Sequence, residues 1–452
     1  MQITIIGAGP TGLVLAAALA RRGHRIDLVD RDAGPRKDGT WPRRGVMQFH
    51  HAHTVRAQVT EVLLAELPEA HARWIVAGAE PITAIFPRVG QVLMGTRSRR
   101  ETLERALRAT VEIEPGVTFQ LGHVEEVARC AGRASGVMVD GGVLSADLVI
   151  NASGRSSRVL IGLPPVVEIG GPCGIAYVDR QYTLRPGAEA GPMTSPIAWQ
   201  AECDGYQVIV FPHEQGTFSV LFIRPASGGD FVPLRADAVF DAAARTVPGL
   251  REWTDPHRSQ PITHVLPGGA LHNHYRSQRR PDRGLQLPGL ISIGDAICTT
   301  TPNFGRGLAL SMMQVRALLD ILDHHRPAEA QPIDAETIDA VTVEFDSWCE
   351  SAIRPWVEDH IAMDDGLASR WSGADIDLSA PLPSDRILAA GEVDPVIARS
   401  AMPYLAMTAG PAAVRALEPL ARAVYSTGWR PRPAAGPSRA ELAATIRAAS
   451  AA

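Results

Sequence analysis

Two short stretches of this chain carry residue types that could do chemistry. The first is Gly7-Ala8-Gly9-Pro10-Thr11-Gly12, a GxGxxG pattern, with Asp30 lying 18 residues past its last glycine. Gly7 permits a tight turn, Gly9 removes side-chain bulk where a pyrophosphate would approach, and Gly12 lets a helix pack closely on a strand. Pro10 and Thr11 open that helix, whose free N–H groups and partial positive charge suit phosphates. A carboxylate at Asp30 can accept hydrogen bonds from ribose hydroxyls. The pattern implies a bound dinucleotide and leaves FAD and NAD undecided. No second GxGxxG follows, which disfavours a reductase with two nucleotide domains.

The second stretch is GDAICTTTPNFGRG, residues 294–307. Gly294-Asp295 closes the apolar run LISI, and the apolar LALSMMQVRALLDIL begins at Leu308. An acidic residue, Pro302, Gly305 and Gly307 between a buried strand and a buried helix make sense if the backbone walls a bound group. Arg306, between the two glycines, reads either as a solvent-facing turn charge or as a group near that occupant.

The surrounding elements must position these residues. ITIIG, the glycine turn, LVLAAALARR and RIDLVD give strand–turn–helix–strand over residues 2–30. A basic loop follows (RDAGPRKDGTWPRRG), then a helix from about His53 to Leu67. IVAGA, ITAIF and QVLMG read as strands. SRRETLERALRATV reads as an amphipathic helix with a capping box of Ser98 and Glu101. VTFQLG, GVMVDGG and ADLVINASG read as strands. Residues 166–284 alternate short strands with Gly/Pro turns, around one helix near 236–246. The tail is mostly helical beyond about residue 370, with a second capping box at Ser438 and Glu441.

Composition narrows the class. The 452 residues exceed one core, and 45% hydrophobic with 21% charged residues is ordinary for a globular protein. A net charge of −5 without a basic stripe argues against nucleic acid. The five scattered cysteines form no CxxC pair, which fits reduced thiols rather than disulfides or zinc. No signal-peptide pattern and no span-length apolar run is present, so the expected location is cytoplasmic. His50, His51 and His53 cluster, but no carboxylate or cysteine at ligand spacing joins them, so no metal is expected. No Ser-His-Asp order or GxSxG appears.

Four stretches together resemble the single-component flavoprotein monooxygenases with the para-hydroxybenzoate hydroxylase fold: GAGPTG with Asp30, RRGVMQFHHAH at 43–53, RETLERAL at 100–107, and GDAICTTTPNFGRG. They span about residues 1–320. The resemblance implies an α/β fold: a Rossmann-like FAD-binding domain (1–165 and 285–370), an inserted β-sheet-rich substrate domain (166–284), and a helical C-terminal region (371–452). It implies FAD, held by Gly7, Gly9, Pro10, Thr11, Gly12, Asp30, Arg31, Arg44 and Arg100. The second loop would add Gly294, Asp295, Pro302, Gly305, Arg306, Gly307 and Leu308. Of the neighbouring cations Arg43 and Arg44, Arg44 is the one assigned to the pyrophosphate. Asp295 would take the ribityl hydroxyls, and Pro302 to Gly307 would pass beside the isoalloxazine.

The implied activity is insertion of one oxygen atom into an organic substrate, by aromatic hydroxylation or alkene epoxidation, through a flavin C4a-hydroperoxide. NAD(P)H or a separate flavin reductase would supply electrons, and O2 the oxygen. No acid–base catalytic residue is assigned. One departure stands out: the family's Asp-Gly pair is Ser153-Gly154 here, which bears on NAD(P)H use. Two alternatives remain open: a flavin-dependent reductase of isoprenoid double bonds, and a flavin-holding protein with a cyclase or binding role. The chain is expected to act as a monomer or homodimer on a small molecule.

Overall fold

The computed structural model describes residues 1–43, 45–86, 90–155, 158–326 and 333–451. Five parallel strands form one sheet in the order Leu290–Ser292, Leu148–Asn151, Gln2–Ile6, Arg25–Asp30, Val117–Leu121. Its inner strands Gln2–Ile6, Leu148–Asn151 and Leu290–Ser292 are almost wholly buried, between helices on one face and strands Val124–Cys130 and Arg133–Val139 on the other, whereas Val117–Leu121 is a partly exposed edge. Helices Pro10–Arg21, Arg100–Val111 and Gly307–His324 follow it in one core, which continues into the helices of residues 335–426. Both chemistry-bearing stretches leave this sheet at strand C-terminal ends. There, parallel strands and helix N-termini create a crevice.

A six-stranded antiparallel sheet lies in the order Trp199–Cys203, Tyr206–Pro212, Thr217–Pro225, Ile175–Leu184, Ser259–Pro261, with Leu266–Gly268 pairing beside it on Ile175–Leu184. Helices Asp237–Ala244 and Pro248–Thr254 pack on one face. The C-terminal helix Arg439–Ala451 joins them through Leu442, Ala443 and Ile446. The C-terminal stretch therefore feeds two cores. A small sheet of Glu168–Pro172, His272–Arg276 and Cys298–Thr299 ties the antiparallel region to the 294–307 loop.

Three local expectations change. IVAGA is the end of helix Pro68–Val76 and its exit, not a strand: Pro68 starts that helix, and Ala70 and Trp74 give it a buried face at helical spacing. The helix expected from His53 begins at Ala57, after the short strand Val55–Arg56. The first capping box does not form. Ser98 is buried, accepting from Trp74 Nε1 at 2.8 Å and donating to the Arg99 carbonyl, and Arg99 is the N-cap. The second box forms as expected, with Ser438 N–H donating to Glu441 at 2.8 Å and Glu441 N–H to Ser438 Oγ at 3.3 Å. Among the described residues, no helix is long and apolar enough to cross a membrane.

Candidate functional site

The glycine turn is built by backbone contact. Gly7 has φ +103°, and a Cβ there would lie 2.6 Å from the Ala152 carbonyl oxygen. A Cβ on Gly12 would lie 1.9 Å from the Gly7 oxygen, so the third glycine seats the helix on the turn. A Cβ on Gly9 would meet nothing within 4 Å, and Gly9 lines the large cavity beside Pro10 and Thr11. Asp30 steadies the turn with both oxygens. It accepts from Ala8 N–H at 2.6 Å and from Asp32 N–H at 2.8 Å while still lining the cavity. Arg31 lines the cavity too, against Gly45.

A buried carboxylate organises the next wall. Glu104, wholly inaccessible, lies 2.7 Å from Arg43 and 2.5 Å from Arg100, four residues before it on the helix. Arg43 also donates to the Ala8 carbonyl at 2.8 Å, and both arginines line the cavity. Arg44, the cation preferred from the sequence, lies outside the described residues. Glu104 was readable in RETLERAL as an i,i+4 partner of Arg100, but its second arginine comes from a distant loop.

The 294–307 loop forms the opposite wall. Asp295 is half-buried and lines the cavity. Burial pushes its pKa up, while the Arg100 and Arg155 cations pull it down. Gly294 lies behind it, where a Cβ would meet Thr11 Oγ1 at 3.0 Å. Gly305 has φ +59° and a Cβ there would press on Thr54 at 2.6 Å, while a Cβ on Gly307 would meet nothing within 4 Å. Pro302, Gly305, Gly307 and Leu308 all line the cavity.

Arg306 does not face solvent. It lines the cavity but is 2% exposed, 3.3 Å from Asp359, and its guanidinium stands 4.6 Å from the Trp356 ring centroid and 4.5 Å from that of Tyr404. A guanidinium is weakly hydrated and stacks on aromatic faces, so a ring cage with one carboxylate can hold it.

The histidine loop lies between the walls. His51 packs edge-on to Tyr177 at 5.4 Å, and burial lowers its pKa to about 4. His53 Nδ1 donates to the His51 carbonyl at 2.8 Å, and burial and the Arg100 charge lower its pKa to about 3. Both rings are neutral at neutral pH. Among the described residues, no group of three or more His, Cys, Asp or Glu is placed to hold a metal. Ser153 lines the cavity, and its hydroxyl donates back to Asn151 Oδ1 at 2.6 Å.

These surfaces enclose one cavity of about 910 Å³. That is near the top of the range of about 300–1,000 Å³ for ligand sites. Its far wall is Tyr177, Phe211 and Leu221 from the six-stranded sheet, with Leu271 beside them. Sequence reasoning located no residue of this wall. Its strands are buried along nearly their whole length, so no alternation of polar and apolar residues marks an inner face.

A parallel sheet with a glycine turn faces an antiparallel sheet across one cavity, a fold that the chain shares with solved flavin-dependent enzymes. Residues 5–58 match the NAD(P)-binding Rossmann-like domain model. The chain is 24% identical over 444 residues to Protein Rv3254 of Mycobacterium tuberculosis, covering 87% of each. It is 22% identical over 374 residues to kynurenine 3-monooxygenase of Chaetomium globosum, covering 72% of this chain and 74% of that one. Among solved structures it is similar to the flavin-dependent brominase Bmp2, with TM-score 0.60 and 15% identity, covering 100% of this chain and 98% of that one. The resemblance drawn from the sequence holds: the chain has the para-hydroxybenzoate hydroxylase fold.

Proposed function

We propose that this chain is an FAD-dependent monooxygenase that inserts one oxygen atom into a small organic substrate. The observation that carries the reading is that both loops open on the same cavity. It joins the bare backbone of Gly9 and Gly307, the open carboxylate of Asp295 and an apolar wall of Tyr177, Phe211, Leu221 and Leu271. The residues fit FAD. Gly9 and the helix N-terminus behind it would face the pyrophosphate, with Arg43 and Arg100 offsetting its charge. Asp30 would take the adenosine ribose, and Asp295 the ribityl hydroxyls. The 302–308 turn would lie against the ring, where the helix N-terminus at Gly307 favours negative charge. Bound FAD, reduced by NAD(P)H or by a separate reductase, would supply the oxygen-activating chemistry.

The protein's part is placement and exclusion of water. The apolar wall would hold the substrate against the ring, and the buried histidines beside it stay neutral. Residues 1–165 with 285–370 would form the cofactor domain, 166–284 the substrate domain and 371–452 a helical region, in a cytoplasmic enzyme. The test is flavin loading, then anaerobic reduction with NADPH and with NADH, with and without candidate aromatic and alkene substrates. Reduction by either nucleotide with substrate-dependent oxygen uptake is expected. Protein that takes up no FAD would sink the reading. Reduction only by an added flavin reductase would identify a two-component system. Substrate reduction without oxygen uptake would favour the double-bond reductase, and flavin that is never reduced would favour a non-redox role.

A further inference from the structure

Behind the 299–307 loop lies a buried chain of polar side chains. Arg306 Nη1 lies 3.4 Å from His360 Nε2, and His360 Nδ1 lies 3.0 Å from Thr301 Oγ1. Thr301 Oγ1 lies 3.4 Å from Asp364 Oδ1, and Asn273 donates to Asp364 Oδ2 at 2.6 Å. Asn273 Oδ1 in turn accepts the Thr301 backbone N–H at 2.8 Å.

Donor and acceptor roles fix the direction of this chain. A guanidinium can only donate, so His360 Nε2 accepts and its proton is on Nδ1. Nδ1–H then donates to Thr301 Oγ1, and the Thr301 hydroxyl is left to donate to Asp364. Burial and the neighbouring Arg306 and Arg56 cations keep His360 neutral, consistent with this tautomer. Thr301 also lines the cavity, so the chain runs from helix Arg354–Trp371, which carries His360 and Asp364, to the cavity wall.

We propose that Asp364 is a positioning residue whose protonation state is carried to the cavity wall by the Thr301 hydroxyl. With Asp364 ionised, Thr301 donates to it. When Asp364 takes one proton from water, Asn273 already occupies Oδ2, so the proton sits on Oδ1. That O–H donates to Thr301 Oγ1, and the Thr301 proton turns away from Asp364 and is free to point at the cavity. No bond other than these O–H contacts changes.

The groups around Asp364 allow the change near neutrality. Burial pushes its pKa up to about 7, outweighing the Asn273, Thr301 and Cys173 side chains that favour the ionised form, and Asp365 on the same helix adds to the rise. His360 is neutral, and the Arg306 charge is matched by Asp359.

The inference rests on the monooxygenase reading for what faces Thr301, so the experiment has an arm that needs no flavin. Infrared spectra of the protein without flavin should show a carboxylic-acid carbonyl band titrating at about pH 7, lost in D364N. In T301V the midpoint should move upward, because the ionised carboxylate loses a donor. No titrating band, or an unmoved midpoint in T301V, overturns the proposal. After FAD loading, the flavin absorbance of the wild type should shift with the same midpoint. T301V should lose that shift while keeping the infrared titration, and T301S should restore it. A wild-type-sized flavin shift in T301V also overturns the proposal. Failure to load FAD at all would sink the function reading instead, and the infrared arm would still decide this one.

Discussion

The two loops that wall the cavity are built in opposite ways. The 7–12 turn is held by backbone: its glycines let carbonyls approach where a Cβ would collide. The 294–307 loop is held from behind by buried side chains, with Arg306 tied to Asp359, and Thr301 to Asn273, His360 and Asp364. A backbone-built turn tolerates no added atoms where backbone meets backbone, at Gly7 and Gly12, and draws its few side-chain partners, such as Asp30, from nearby. A side-chain-built loop tolerates added atoms at its open face but depends on charges more than fifty residues away in sequence. The difference predicts where each wall fails.

The largest effect should come from the side-chain-built wall. Arg306→Met leaves the Asp359 carboxylate buried without its cation, although Tyr404 and Ser384 still donate to it. Breaking a buried pair from one side costs about 3–5 kcal/mol. Urea denaturation should show that loss, and Arg306→Met with Asp359→Asn should recover part of it. A loss below about 1 kcal/mol would mean that neither the ion pair nor the cation–ring contacts hold the loop.

The backbone-built wall should fail next. Gly12→Ala places a methyl 1.9 Å from the Gly7 oxygen, and backbone on both sides cannot yield as a flexible side chain would. Overpacking of this kind costs about 1–3 kcal/mol. Thermal melts should fall accordingly, and FAD uptake should fall with them. An unchanged melt would show that the helix can slide on the turn.

The histidine loop between the walls gives a pH test. Asp179 is fully buried and accepts the Ala52 N–H at 2.5 Å, and burial raises its pKa to about 8. The folded state therefore holds this proton more tightly than the unfolded chain, whose carboxyl titrates near pH ~3.9. The stability it contributes is full below about pH 4 and is lost as pH rises towards about 8. Asp179→Asn should remove that slope, gaining on the order of 4 kcal/mol over the wild type at pH ~9 relative to pH ~5. Equal pH dependence in both proteins would place the proton elsewhere.

How much of this was legible follows from the same contrast. The glycine turn could be read because a local backbone demand selects glycine at fixed spacing, and Asp295 because an acidic residue at a strand end is conspicuous. The partners of Arg306 could not be read, because Asp359, Trp356 and Tyr404 reach it only through tertiary packing. Its burial therefore contradicts what a charge in a glycine-flanked turn suggests. Ser98 failed as a cap for a related reason: tertiary structure gave its hydroxyl to Trp74. Tyr177, Phe211 and Leu221 were invisible because strands buried on both faces carry no period.

The smallest effect on stability should come from Gly9→Ala, and it is the most specific probe of the comparison. The added methyl meets no atom of the protein within 4 Å, and Gly9 is not among the glycines with positive φ. The unfolded chain also loses freedom when alanine replaces glycine, which offsets any small strain. Melting should therefore stay within about 0.5 kcal/mol of the wild type without cofactor. The methyl would instead occupy the space assigned to the pyrophosphate, so FAD affinity should fall about tenfold, equivalent to about 1.4 kcal/mol. Fluorescence titration of FAD into both proteins separates the outcomes. A stable variant with weakened FAD binding identifies Gly9 as open for the cofactor's sake, whereas full affinity would move the phosphates away from the turn.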